Sequence, residues 1–155
     1  MRTHGGVEDE TTPLRTDDAG YARGFQYHDG AFDGVQLTDG GATVRLALRT
    51  ADDDPFDIVL TGVRALSVTN FRQGNIVLGI RVLRLKQARQ DPEIEPLLAE
   101  RLEGFSLRFE SEDRIFYLDS AYGAEVLAVC SLASLSRPGC SGREELLRGA
   151  GEQER

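Results

Sequence analysis

In the stretch QYHDGAFDG, residues 26–34, His28 stands beside Asp29 and five residues before Asp33, and each aspartate is followed by a glycine. An imidazole and two carboxylates at this spacing suit a metal half-site, or a general base oriented by a carboxylate. A structural metal site takes about four protein ligands and a catalytic one about three. The only other histidine, His4, lies in a polar N-terminal stretch, so further ligands would have to be distant carboxylates. Asp-Gly pairs also have a purely local use. Asp bonds nearby backbone, Gly supplies positive φ, and two such pairs make two turns around a short strand. The residues favour turns. With no nucleophile at a known spacing, no catalytic residue, cofactor or metal is assigned, and His28, Asp29 and Asp33 stand as the site of the alternative, enzymatic or ligand-binding reading.

Other groups invite chemistry less directly. NFRQGN places Phe71 and Arg72 at a turn, and an aromatic beside an arginine is the composition of an interaction hot spot. ADDDPF gathers Asp52, Asp53 and Asp54, but lacks the D-x-D-x-D-G spacing and closing Glu of a calcium loop, so it reads as a solvated hairpin tip. Glu93 and Glu95, with Glu100 and Glu103, form an acidic run on a predicted helix, either its wet face or a patch for a basic partner. Ser120 and Cys130 lie in SAYGAEVLAVC without a G-x-S-x-G elbow, an S-x-x-K motif or a histidine partner. Walker and G-x-G-x-x-G loops are absent from the sequence as well.

The charge narrows the partners. The net charge is −8, and residues 25–133, with eleven basic and seventeen acidic side chains, carry −6 of it. That sign repels phosphate backbones and anionic lipid and favours basic proteins. Nucleic acid and membrane are therefore not expected as partners. The N-terminal MRTHGGVEDETTPLR has no apolar core of a signal peptide, and no run approaches the ~20 apolar residues of a membrane span. Cys130 in an apolar run and Cys140 in SRPGCSG make an unlikely disulfide, so a cytoplasmic location is the expectation.

The elements that would position these groups repeat with period two. Val44, Leu46 and Leu48 alternate with Thr43, Arg45 and Arg49; Phe56, Ile58 and Leu60 alternate with Asp57 and Val59; Phe105, Leu107 and Phe109 oppose Ser106 and Arg108. RIFYLDS and AEVLAVCSL are apolar on both faces, as two-sided strands are. In NIVLGIRVLRLK, Ile76, Leu78, Ile80 and Val82 share a face before the pattern shifts to Leu83 and Leu85, which predicts a bulge or bend; VRALSVTN slips between Ala65 and Leu66. DPEIEPLLAERLEG predicts one helix over about 92–103, with Asp91 as N-cap, Pro92 in the first turn and Gly104 at its end.

The expected fold is all-β and mainly antiparallel: a single-domain sandwich or flattened barrel of about eight strands with one short helix, over residues 24–133. Residues 1–23 and 134–155 are expected as mobile arms. FQYHDG followed by FDGVQL, from Phe25 to Leu37, resembles the opening of small bacterial β-rich proteins, some of them similar to immunity proteins of polymorphic toxin systems. The resemblance implies a non-enzymatic binding role and carries no catalytic residue. The leading expectation is thus a protein-binding module of immunity or inhibitor type, with Phe71, Arg72, Asp52–Asp54, Glu93 and Glu95 on its interaction surface. The third expectation is a homo-oligomer pairing through strand 122–132 or a free sheet edge.

Overall fold

The computed structural model describes residues 11–102 and 108–137. Its strands, in chain order, are β1 (Thr11–Pro13), β2 (Arg15–Thr16), β3 (Ala22–Arg23), β4 (Ala31–Thr38), β5 (Thr43–Arg49), β6 (Pro55–Thr61), β7 (Ala65–Thr69), β8 (Asn75–Arg84), β9 (Arg114–Tyr122), β10 (Glu125–Cys130) and β11 (Leu132–Ser136). Two helices, α1 (Leu85–Gln90) and α2 (Ile94–Arg101), lie between β8 and β9. Nine strands form one antiparallel sheet in the order β1-β11-β6-β5-β4-β8-β9-β10-β7, which is not a closed barrel; β2 and β3 pair separately. The protein is all-β with short helical segments. Among the described residues no helix is long and apolar enough to cross a membrane.

The alternation in β5 explains the first core. Val44, Leu46 and Leu48 are fully buried, and the residues between them are only partly covered. They pack with Phe32, Phe56, Ile58 and Leu60 against Val77, Ile80, Phe116, Leu118, Val126 and Ala128. The half-sheet β4–β6 thus faces the half-sheet β8–β10 across one apolar layer. A second cluster covers the back of β8–β10, where Leu83, Ile115, Tyr117, Leu127 and Val129 meet Ala88 of α1 and Ile94, Leu98 and Leu102 of the α2 region. This is why RIFYLDS and AEVLAVCSL are apolar on both faces: Phe116 and Leu118 serve one core, Ile115 and Tyr117 the other.

The sheet turns its corner along two bent stretches. β6 runs through Gly62 into β7, and β10 runs through Ser131 into β11; Ser131 N–H donates to the Thr61 carbonyl (2.9 Å) and Arg64 N–H to the Val129 carbonyl (2.8 Å). Gly62 has φ 62°, and a Cβ there would stand 2.3 Å from Ser131 Oγ.

Several boundaries differ from the sequence expectation. Among the described residues the sheet already includes Thr11, well before residue 24, because β1 pairs with β11 in the register Thr11↔Ser136 to Pro13↔Ser134. Residues 134–136, expected in the tail, sit between β1 and β6, with Ser134 and Ser136 buried. Residues 1–10 and 138–155 lie outside the described residues. The single expected helix is two. Asp91 caps as its type predicts, its Oδ1 accepting from Glu93 N–H (3.0 Å) and Ile94 N–H (3.1 Å), but regular helix begins at Ile94. Leu85 and Lys86, read as the end of a strand, begin α1. Of the expected strand FSLRF, residues 105–107 lie outside the described residues, and Arg108 and Phe109 are not in a strand. The β10 stretch of segment 122–132 lies between β9 and β7 with both faces covered, so Glu125–Cys130 offers no surface for self-pairing.

Candidate functional site

QYHDG forms a turn. Asp29 takes φ 61°, Gly30 N–H closes on the Tyr27 carbonyl (3.0 Å), and the turn is tied to β8 by Asp29 N–H to the Val77 carbonyl (2.9 Å). His28 Nδ1 is 3.2 Å from Asp29 Oδ2, with both side chains well exposed. Asp33 is not part of this pair. It sits where the register of β4 against β5 shifts, and it accepts from Arg49 Nε (2.7 Å) and Nη2 (3.0 Å), a bidentate pair. Arg49 also donates to Asp53 (2.6 Å). The three residues are therefore divided between two interactions, and among the described residues no group of three His, Cys, Asp or Glu side chains is placed to hold a metal ion.

The turn carrying Phe71 and Arg72 is built on buried Asn75. Its Oδ1 accepts from Arg72 N–H and Ala124 N–H, both 2.9 Å, and its Nδ2 donates to the carbonyls of Arg72 (2.6 Å) and Phe32 (3.1 Å). One amide makes all four main-chain contacts, so the loop is tied to β4 and to the β9–β10 turn. Phe71, 49% exposed, meets Phe32 edge to face with centroids 5.5 Å apart. The Arg72 guanidinium lies 5.5 Å from the centre of the Tyr122 ring.

Beside Arg72 the sheet presents an exposed apolar face. Ile76 (40% exposed) pairs across the strands with Tyr122 (50%), and Leu78 (43%) projects from the irregularity between Val77 and Gly79. Two register shifts against β9, at Ile76/Val77 and Val77/Gly79, turn Ile76 and Leu78 outward while Val77 and Ile80 face the core.

Tyr21 borders this face and is fixed from below. Asp17 Oδ1 accepts from the N–H groups of Ala19 (3.0 Å) and Tyr21 (2.9 Å), shaping the β2–β3 turn. Buried Arg81 donates to the Ala19 carbonyl (2.8 Å) and to Asp91 (2.6 Å), reaches Glu93 at 3.5 Å, and lies 4.9 Å from the Tyr21 ring centre. Nothing in the sequence marks Tyr21 or Arg81, because the pairing joins segments some sixty residues apart.

The remaining candidates are dispersed. Asp52 and Asp54 line a separate cleft of about 230 Å³ with Phe25, Phe56 and Leu135, while Asp53 holds φ 67° at the hairpin tip. Glu93 reaches Arg81 at 3.5 Å, and Glu95 lies in the first turn of α2. Ser120 Oγ donates to the Ile76 carbonyl (3.0 Å). Cys130 is buried and unpaired, and burial pushes its thiol up to about 12. Comparison with protein-family models, curated proteins and solved structures finds no match to this chain, so its fold and its exposed face are the grounds on which function is argued.

Proposed function

We propose that the chain is a non-enzymatic protein-binding module, of inhibitor or immunity type, whose contact surface is the outer face of β8 and β9. The observation that carries this reading is the adjacency of Ile76, Leu78 and Tyr122, three large apolar side chains at 40%, 43% and 50% exposure. Lone exposed apolar residues are ordinary; a contiguous group beside a stacked arginine is the make-up of an interface centre. Arg72 over Tyr122 and Phe71 beyond it extend the face at one end, and Tyr21 at the other. The net charge of −8 selects basic partners over acidic ones.

The test compares wild-type bait with Leu78→Asp and with Asp52→Lys in affinity capture at low and high salt, followed by mass spectrometry. The reading expects a stoichiometric protein retained by wild type and by Asp52→Lys and lost with Leu78→Asp, whose melting temperature stays near wild type because the side chain is already half in water. Equal capture by a folded Leu78→Asp bait would overturn it.

A further inference from the structure

The apolar face continues into a trough floored by a residue without a side chain. Two depressions, of about 630 and 220 Å³, share Tyr21, Leu78 and Gly79 as common walls and floor. The larger adds Asp17, Phe25, Gln26, Tyr27 and His28; the smaller adds Arg81, Glu93, Tyr117 and Asp119. The trough exists because position 79 is glycine. A Cβ there would meet Tyr21 Cε1 at 3.6 Å, ordinary contact, and the backbone is not in the left-handed region, so a side chain is sterically admissible and would fill the floor.

The two halves differ in chemistry. Glu93 and Asp119 line the smaller one with a single cation, Arg81, whose guanidinium is already engaged by Asp91 at 2.6 Å and lies against one face of the Tyr21 ring. Asp119 uses Oδ1 for Ser120 N–H (2.8 Å) and the Tyr117 hydroxyl (3.3 Å), and no Arg or Lys among the described residues pairs with it. The negative potential is felt by the phenols at both ends. Burial and then Asp119 raise Tyr117, and burial and then Asp17 raise Tyr27. The larger half sets Tyr21, Phe25, Tyr27 and Leu78, which give it apolar walls, beside polar Asp17, Gln26 and His28.

We propose that this trough receives an extended segment of the basic partner, with an arginine guanidinium in the smaller half, between Tyr21 and Asp119, and an apolar side chain two residues away in the larger. The spacing follows from the strand period: side chains two apart emerge on one side about 7 Å from each other. Guanidinium suits the smaller half better than ammonium because it stacks on an aromatic ring while pairing with a carboxylate. This rests on the reading of the β8–β9 face as a contact surface and adds the identity of the group it recognises.

The test titrates acetyl-Arg-Gly-Leu-amide into the isotopically labelled full chain and follows amide shifts, with acetyl-citrulline-Gly-Leu-amide as the uncharged isostere. Saturable shifts at Gly79, Asp119 and Tyr21 are expected, with binding weakened roughly tenfold or more by citrulline, by Asp119→Asn and by Gly79→Val. Both variants should retain the wild-type dispersion of shifts. Three results would overturn the proposal: no saturable shift at Gly79, equal binding of citrulline, or shifts spread evenly over Asp52–Asp54 and the other acids. If the guanidinium claim falls while Leu78→Asp still abolishes capture, the contact face stands without this occupant; if Leu78→Asp has no effect on capture, the face itself is lost.

Discussion

A Cβ placed on Gly123 would stand 2.2 Å from Oδ1 of Asn75, and Gly123 holds φ 96°. The β9–β10 turn and the loop carrying Phe71 and Arg72 therefore close on the same amide, from opposite sides. Gly123→Ala meets both the steric conflict and the left-handed backbone, and is expected to destabilise by about 2 kcal/mol or more. Chemical denaturation checks the size. A matching loss in Asn75→Ala, and no further loss in the double variant, would show that the two residues act as one lock.

Gly30, not His28, is the residue on which the HDG turn depends. A Cβ at Gly30 would lie 2.3 Å from the Arg49 carbonyl oxygen and 2.9 Å from that of Tyr27. Gly30→Ala should lower the melting temperature by several degrees, about 2–4 °C for each kcal/mol lost. His28→Ala removes an exposed side chain with one exposed carboxylate beside it, and should change stability by less than about 0.5 kcal/mol. Scanning calorimetry of the two variants decides between turn and site.

Arg81 joins the β2–β3 turn, β8 and the start of α2 through the Ala19 carbonyl, Asp91 and the Tyr21 ring. Arg81→Met leaves Asp91 without its cation and the Ala19 carbonyl without its donor, a loss expected at about 3 kcal/mol. The pH dependence has a definite sign. The guanidinium, ahead of the capping N–H groups, holds the Asp91 carboxyl below its usual value. A depressed carboxyl contributes its full stabilisation above the ordinary aspartate value of 3.8 and loses it as pH falls below that value toward the folded pKa. Urea midpoints measured from pH 6 downward should show this acid-side loss in wild type and a shallower one in Arg81→Met.

Cys130 offers a probe of opening. With its thiol buried and raised to about 12, it is closed to thiolate reagents in the native state at pH 8. In a Cys140→Ser background the remaining thiol should react only in denaturant or at the rate of transient opening. Immediate stoichiometric labelling without denaturant would show that β10 is less well covered than its fully buried side chains imply.

Much of this fold was legible because burial follows a period. β5, β6, β9 and β10 stand where alternation or two-sided apolar runs placed them, and Asp91 caps as its type predicts. Three features were not legible. Strand β1 has no apolar alternation and residues 134–136 offer only Leu135 to the core, so their place in the sheet comes from backbone pairing with each other and with β6, which no side-chain pattern announces. The interruption at Val77–Gly79 turns Ile76 and Leu78 away from the face of Ile80 and Val82, with which a regular alternation groups them. The Tyr21–Arg81–Asp91 assembly joins distant segments through one buried guanidinium. The candidate site was half legible: Phe71, Arg72 and Glu93 border the face or its trough, whereas Ile76, Leu78, Tyr122, Tyr21 and Gly79 depend on register.

The pairing of Thr11 with Ser136 sets an order of events on the ribosome. Strands β4 and β5 can meet as soon as both have emerged, but β11 supplies the partner of β6 on its far side and, among the described strands, the only neighbour of β1. Until the chain has been made past Ser136, β6 presents a bare edge of unpaired N–H and C=O groups and β1 has nothing to join. At about 5–20 residues per second, the ~75 residues from β6 to Ser136 keep that edge open for several seconds during synthesis. Among the described strands, β11 thus both seals the open edge of β6 and recruits β1.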